Sequence, residues 1–241
     1  MTRGTVNWTA PLDPATLADE GLRERKKRLT RQRLTDTATE MFMERGFDAV
    51  RVSEIAEACG VSEKTVFNYF PTKESLVLDL PQATTASLRI TLADPGLSPV
   101  EATLTVLAGE LESFTSWLAA QEDLTAAAER FTSFGAMIHS TPSLRAHQRD
   151  LHDRLATVVA ELLARRAGAG ADDPEAQIAA TALLGLWPIQ FQSLARHLDG
   201  TRTPRQVHDA VTADVRRAAE LLDAGLRTFG QTNRPLTKNE G

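Results

Sequence analysis

Cysteine is almost missing from this 241-residue chain. Cys59 stands alone, which excludes an internal disulfide framework and suits a reducing cytosol. Aromatics are also scarce, with nine Phe, three Trp and one Tyr. Strict apolar/polar alternation and long β-branched runs are lacking, so a sheet is excluded as the main architecture. No apolar run approaches the roughly 20 residues that cross a bilayer, and no membrane span is expected. The first residues lack the apolar segment and cleavage site of a secretory signal. What the chain does have is alanine, the strongest helix former, at 35 positions. With 42% hydrophobic and 24% charged residues, it has globular composition and enough length for one large or two modest domains. The expected fold class is all-α.

The net charge of −5 argues at first against a nucleic-acid partner, but it is unevenly spread. Residues 1–22 carry one base and three acids, residues 23–78 carry 11 bases and 9 acids, and residues 79–241 carry 15 bases and 20 acids. Between Arg23 and Arg33 there are seven Lys/Arg and a single acid, Glu24. Such a block is either a solvated helix start or an electrostatic footprint.

Residues 1–22 hold two prolines and no sustained periodicity, and read as a mobile N-terminal extension. A first helix is expected from about Leu22 to Arg45, with Leu34, Ala38, Met41 and Phe42 on its apolar side and Gly46 as its stop. Further on, cap-proline pairs mark helix starts near 99, 142, 174 and 204. Ser98-Pro99-Val100-Glu101 and Thr203-Pro204-Arg205-Gln206 also carry the reciprocal partner of a capping box. A fifth start is expected near Asp123, with loops at 168–173 and 200–202.

Residues 47–76 read FDAVRVSEIAEACGVSEKTVFNYFPTKESL. Ile55, Ala56 and Cys59 place small and apolar groups on one face of a two-turn helix. Gly60 turns the chain, Ser62 caps a second short helix, and Val66, Phe67 and Phe70 form that helix's apolar stripe. Two short helices joined through a glycine turn are the helix-turn-helix arrangement, whose second helix enters the DNA major groove. Glu63, Lys64, Thr65, Asn68 and Tyr69 then lie outward or at the edge, with groups for base edges and for phosphates. Pro71 ends the helix. Thr72 is expected to cap another, whose first turn would present Lys73 and free N–H groups to a phosphate.

At these residues the chain resembles the TetR family of bacterial transcriptional repressors. The likeness covers about residues 28–80 and rests on MFMERGFDAV, IAEACGVS and TVFNYFPTKESL. It implies a helix-turn-helix domain over 23–80, a helical effector-binding and dimerisation domain over 81–230, and a flexible tail over 231–241. It also implies a cytoplasmic homodimer, nucleoid-associated when bound to a palindromic double-stranded operator and released by a small molecule. Ser62, Lys64, Thr65, Asn68 and Tyr69 match its DNA-facing positions, and Lys73 its phosphate-contacting lysine. Two residues depart from the family pattern. Arg51 replaces a capping Thr, so Ser53 or backbone must cap while Arg51 reaches phosphate. Phe67 replaces a common Tyr and lacks its hydroxyl, and Arg51, Ser53 and Phe67 remain among the DNA-binding positions that the resemblance implies.

In the C-terminal part, residues 174–199 read as one helix in which Pro188 is expected to introduce a kink or remove a hydrogen bond. Its Ala176, Ala179, Ala180, Ala182 and Gly185 are small, and Leu183, Leu184, Leu186, Phe191, Leu194 and Leu198 are apolar. The last helix adds Val207, Val211, Val215, Ala218, Leu221, Leu222 and Leu226. These two helices are expected to form the dimer seam or an intramolecular core. An apolar or amphipathic effector is expected among Phe114, Trp117, Arg130, Phe131, Phe134, Met137, Trp187, Gln190 and Phe191. Pro81 interrupts the connecting helix between the two parts.

The rival readings are a regulator answering to a protein partner instead of a small molecule, and an enzyme. The chain contains no Gly-x-Ser-x-Gly elbow, no phosphate-cradling glycine loop and no His-Glu-x-x-His. His147 and His152 lie roughly 140° apart on a helix and share no metal face. No cofactor, metal or catalytic residue is therefore assigned. Cys59 reads as buried packing rather than as a redox sensor.

Overall fold

The structure is a computed structural model that describes residues 21–79, 82–170 and 172–226. The expected extension up to residue 20, Pro81 and the tail over 231–241 lie outside the described residues. Among the described residues every regular element is helical, so the all-α expectation holds.

The helices are α1 (Leu22–Arg45), α2 (Val52–Ala58), α3 (Glu63–Tyr69), α4 (Gln82–Ala93), α5 (Pro99–Ala119), α6 (Leu124–Ser140), α7 (Pro142–Ala167), α8 (Pro174–Leu184), α9 (Leu186–His197) and α10 (Pro204–Leu226). Their starts follow from the caps. Ser98 and Glu101 bond reciprocally, with Ser98 N–H to Glu101 Oε2 at 2.7 Å and Glu101 N–H to Ser98 Oγ at 3.1 Å. Thr203 and Gln206 do the same at 2.9 and 3.3 Å. Asp123 and Asp173 each accept from the backbone three residues on, both at 3.0 Å. Helix α1 stops where expected, because Gly46 takes φ 87° and its N–H returns to the Phe42 carbonyl.

Two expectations about helix limits are corrected. Thr72 does engage Ser75 reciprocally, at 3.2 Å in each direction, yet only a single 3-10 turn (Glu74–Leu76) follows instead of an α-helix. The N–H groups of Thr72 and Ser75 are both occupied by side chains, so they are not free for a phosphate. The stretch from 174 to 199 is likewise two helices, broken at Gly185 rather than kinked at Pro188. The proline ring would collide with the carbonyl four residues back, which is Leu184, and α8 ends at that residue. Pro188 then sits in the first turn of α9, where its missing N–H costs nothing.

Pro174–His197 is also the one stretch among the described residues that is long and apolar enough to cross a membrane, with mean hydropathy 1.3. This departs from the expectation that no such run exists. The break at Gly185 interrupts it, and 44% of its most apolar 18-residue window is buried inside the fold.

The chain divides into two compact units. The first comprises Met1–Ala83, Ser113–Leu151 and Asp199–Thr201. Its core gathers Leu34, Ala38 and Phe42 of α1, Ile55, Ala56 and Cys59 from α2 and its end, Val66 and Phe70 from α3 and its end, and Leu76. Phe134 and Ile138 of α6 and Leu144 of α7 complete that core. Phe42 and Phe70 are 1% exposed, and burying a ring of this size contributes about 1.5–3 kcal/mol. Cys59 is buried, as its small-residue neighbourhood implied.

The second unit comprises Thr84–Glu112, His152–Leu198 and Arg202–Gly241. Ala176, Ala179, Ala180, Leu183, Leu184, Leu186, Leu194 and Leu198 are buried within the single chain, as are Val207, Val211 and Val215. Helices α9 and α10 are clamped by Asp214, which accepts from Ser193 Oγ at 2.8 Å and lies 3.0 Å from His197 Nε2. Those hydrogen bonds, with Arg217 beside them, hold the Asp214 carboxyl down at about 2.

Candidate nucleic-acid interface

The motif begins at the junction of α1 and α2. Arg51 precedes α2 and its side chain cannot accept a bond, so its backbone N–H instead donates to Glu54 Oε2 at 2.8 Å. Glu54 Oε1 meanwhile accepts from Arg45 at the end of α1 at 2.7 Å. These two donors hold the Glu54 carboxyl below its ordinary value, the Arg51 backbone N–H most of all. Backbone and Glu54, rather than Ser53, thus order this helix start. Arg51 has 84% of its side chain exposed, and Ser53 is exposed as well.

Gly60 takes φ 64°, and the Val61 N–H returns to the Ala56 carbonyl at 2.9 Å, which turns the chain into α3. Ser62 caps α3 by accepting the Thr65 N–H at 3.1 Å. The two hydroxyls also bond each other at 2.8 Å, so Thr65 is already engaged. Along α3, Val66 is buried and Tyr69 half-buried, while Glu63, Lys64, Phe67 and Asn68 are exposed. Phe67 was expected both in the apolar stripe with Val66 and Phe70 and, through the family likeness, among the DNA-binding positions. It lies instead on the outward face, 44% exposed, because at 100° per residue positions 64, 67 and 68 share one arc.

The far end of α3 is held by a residue that sequence reasoning assigned only to the basic run. Arg31 of α1 donates to the Tyr69 carbonyl at 2.8 Å, stacks 4.3 Å over the Phe70 ring and pairs with Asp79. Its spacing from Leu34 and Ala38 puts it on the inner side of α1, and that pattern is the signal by which it could have been found. Arg23, Arg25, Lys26, Lys27 and Arg33 of the same run are exposed. Beyond Asp79's neighbour Leu78, a second tie appears: His147 Nε2 of α7 lies 3.0 Å from the Leu78 carbonyl.

Lys73 is half-buried. Its Nζ donates to the Phe47 carbonyl at 2.6 Å and lies 4.4 Å from the Phe47 ring centre and 5.4 Å from that of Phe42. Burial lowers its pKa from the ordinary lysine value. One of its three hydrogens is therefore spent on holding the turn after α1.

The expected effector residues fall into both units. In the first, Phe114 stands 5.6 Å from Trp117 and 5.5 Å from Phe131, centre to centre, and Phe114 and Phe131 are buried. Arg130 is half-buried. Phe134 and Met137 pack on the helix-turn-helix core instead. In the second unit, Trp187 and Phe191 are half-buried and Gln190 is buried.

Sequence reasoning missed Glu110 there. It accepts from Trp187 Nε1 at 2.9 Å and from Thr84 Oγ1, tying α4, α5 and α9 together. Desolvation raises its pKa despite both donors. Its place in the run Val106, Leu107, Glu110, Leu111 and Phe114, an acid on the apolar side of α5, was the available signal.

Comparison with known proteins agrees with this geometry. A family model described as "Bacterial regulatory proteins, tetR family" matches residues 34–80, and one described as "MftR C-terminal domain" matches residues 128–227. The chain is 30% identical to the transcriptional repressor AcnR of Corynebacterium diphtheriae over 59% of this chain and 67% of that one. It is 29% identical to the regulator TcmR of Streptomyces glaucescens, covering 68% and 71%. It is 25% identical to MftR of Mycobacterium tuberculosis, named for the regulation of mycofactocin biosynthesis, covering 67% and 78%. With its helix-turn-helix, its helical C-terminal part and these relatives, the chain belongs to the TetR family and is a DNA-binding transcriptional regulator.

Proposed function

We propose that this regulator acts in the cytoplasm as a homodimeric repressor on a palindromic operator, from which a small effector releases it. The observation that carries the reading is the outward face of α3. Lys64, Phe67 and Asn68 project from a helix anchored behind by Val66 and Phe70, with Arg51, Ser53 and Ser62 exposed at the two helix starts. Lys64 and Asn68 carry donors and acceptors for base edges, and Arg51 and the exposed cations of α1 supply phosphate contacts. Thr65 and Tyr69 line the edge of that face, and Lys73 has two hydrogens left for a phosphate.

A dimer is favoured because Ile178 on α8 and Leu221 on α10 stay 66% and 79% exposed in the single chain. For an apolar or amphipathic effector, the aromatic group of Phe114, Trp117 and Phe131 in the first unit supplies apolar contact surface. To act, it must bind the DNA-incompetent state more tightly than the competent one. Selection of bound sequences from random DNA, followed by gel shifts on the best one, tests the reading. A recovered inverted repeat bound by a dimer is expected. Recovery of no preferred sequence overturns it, and an operator that no tested metabolite releases removes the effector from it.

A further inference from the structure

We propose that Phe67 reads thymine, by packing its phenyl ring on the 5-methyl group of one thymine in each operator half-site. The inference rests on the DNA-reading face proposed above and gives one of its members a chemical target. Phe67 is 44% exposed and is the single aromatic among the large apolar side chains that the described residues leave exposed. Its position is not one of default exposure, since Val66, one residue earlier on the same helix, is completely buried.

The ring falls in the same arc of α3 as Lys64 and Asn68, whose polar heads would face the groove with it. A phenyl group has no donor or acceptor, so it can neither hold a phosphate nor pair with a base edge. The major groove offers an apolar side chain one strong partner, the C5-methyl of thymine, and phenylalanine is among the side chains that contact it. Cytosine presents no such group. A ring left wet in the free protein gains by covering that methyl, which converts an exposed apolar surface into sequence preference.

The effect of one buried methyl group corresponds to about fourfold in affinity. The test uses the full chain on its selected operator, with each thymine replaced in turn by deoxyuridine, which removes only the methyl group. Wild type should lose roughly fourfold at one thymine of each half-site, and the two losses should multiply. Phe67→Ala should bind the unmodified operator more weakly and be indifferent to the same deoxyuridines, whereas Phe67→Tyr should keep the preference. Exposure of the side chain predicts that both variants fold, which circular dichroism checks.

Wild-type affinity that ignores every deoxyuridine overturns the proposal. So does a methyl preference that survives in Phe67→Ala, since another residue would then read it, and so does a Phe67→Ala protein that binds the operator as wild type does. A chain that selects no sequence at all overturns the DNA-reading face itself, a distinct failure visible before any thymine is replaced.

Discussion

The Arg31 guanidinium donates to the carbonyl oxygen of Tyr69 at 2.8 Å, across 38 residues of sequence, and so fixes the last turn of α3 to α1. The same side chain covers the Phe70 ring and pairs with Asp79. A planar fork can make all three contacts at once and a lysine ammonium cannot. Arg31→Ala is expected to lower unfolding stability by about 1–3 kcal/mol, allowing for partial solvent screening. Operator affinity should fall in addition, because α3 loses its C-terminal anchor, and Arg31→Lys should recover only part of the loss. Arg33→Ala, from the exposed side of α1, serves as the comparison. Equal thermal unfolding for the two alanine variants would remove the anchoring role.

Under the proposed function, Lys64 and Lys73 should separate base reading from structural support. Lys64 is exposed on α3 with its head free to reach bases, whereas Lys73 is bonded to the Phe47 carbonyl and packed on two rings. Lys64→Ala should relax base preference and leave unfolding nearly unchanged. Lys73→Ala should weaken every DNA sequence alike, reduce the salt slope by about 1 if it also meets a phosphate, and destabilise the fold by about 1–3 kcal/mol. Parallel gel shifts at several salt concentrations and thermal melts check both. A Lys73→Ala protein of normal stability would leave its bond to Phe47 without energetic weight.

The difference between these lysines shows what the sequence makes legible. Local signals were read well: cap-proline pairs placed Pro99, Pro142, Pro174 and Pro204 at helix starts, and Asp123 proved to be the cap of α6. They are local because a cap bonds three residues away. Whether Lys73 faces DNA or Phe47, and whether Arg31 belongs to a footprint or a core, depends on segments 26 and 38 residues distant. Periodicity assigned Phe67 to the apolar stripe because a helix of seven residues holds too few positions to fix the arc. The helix break at Gly185 was misplaced by three residues because a proline acts on the carbonyl four residues before it.

Glu110 makes a pH prediction whose sign follows from its environment. Its carboxyl is raised above the ordinary 4.5 by burial, so the folded state holds the proton more tightly than the unfolded chain. Stability linked to this group is therefore fully present below the unfolded value and declines as pH rises above it, until the folded group has ionised. Glu110→Gln removes the titration and still accepts from Trp187, while the Thr84 hydroxyl can turn to accept from the new amide. Melting temperatures of wild type and Glu110→Gln should diverge as pH is raised above 4.5, the variant becoming the more stable. Glu110→Leu, which leaves both donors unpaired, should be less stable than wild type. A gap between wild type and Glu110→Gln that stays constant with pH would mean that the carboxyl titrates as an ordinary one.

Leu221 tests the dimer without disturbing the chain's own core. It is 79% exposed on α10, whereas Val207, Val211 and Val215 of the same helix are at most 3% exposed. A second copy covering it would bury an apolar side chain whose transfer contributes about 1.5–3 kcal/mol, twice over in a symmetric pair. A charge placed there would meet its own copy or an apolar surface, so Leu221→Glu should yield monomers by sedimentation at concentrations where wild type is dimeric. Its helical content should be retained. Operator binding should fall far more than for Lys64→Ala, because a half-site alone must then supply the affinity. Dimers of undiminished stability in Leu221→Glu would move the seam to another face of the second unit, and Ile178→Glu on α8 would then identify it.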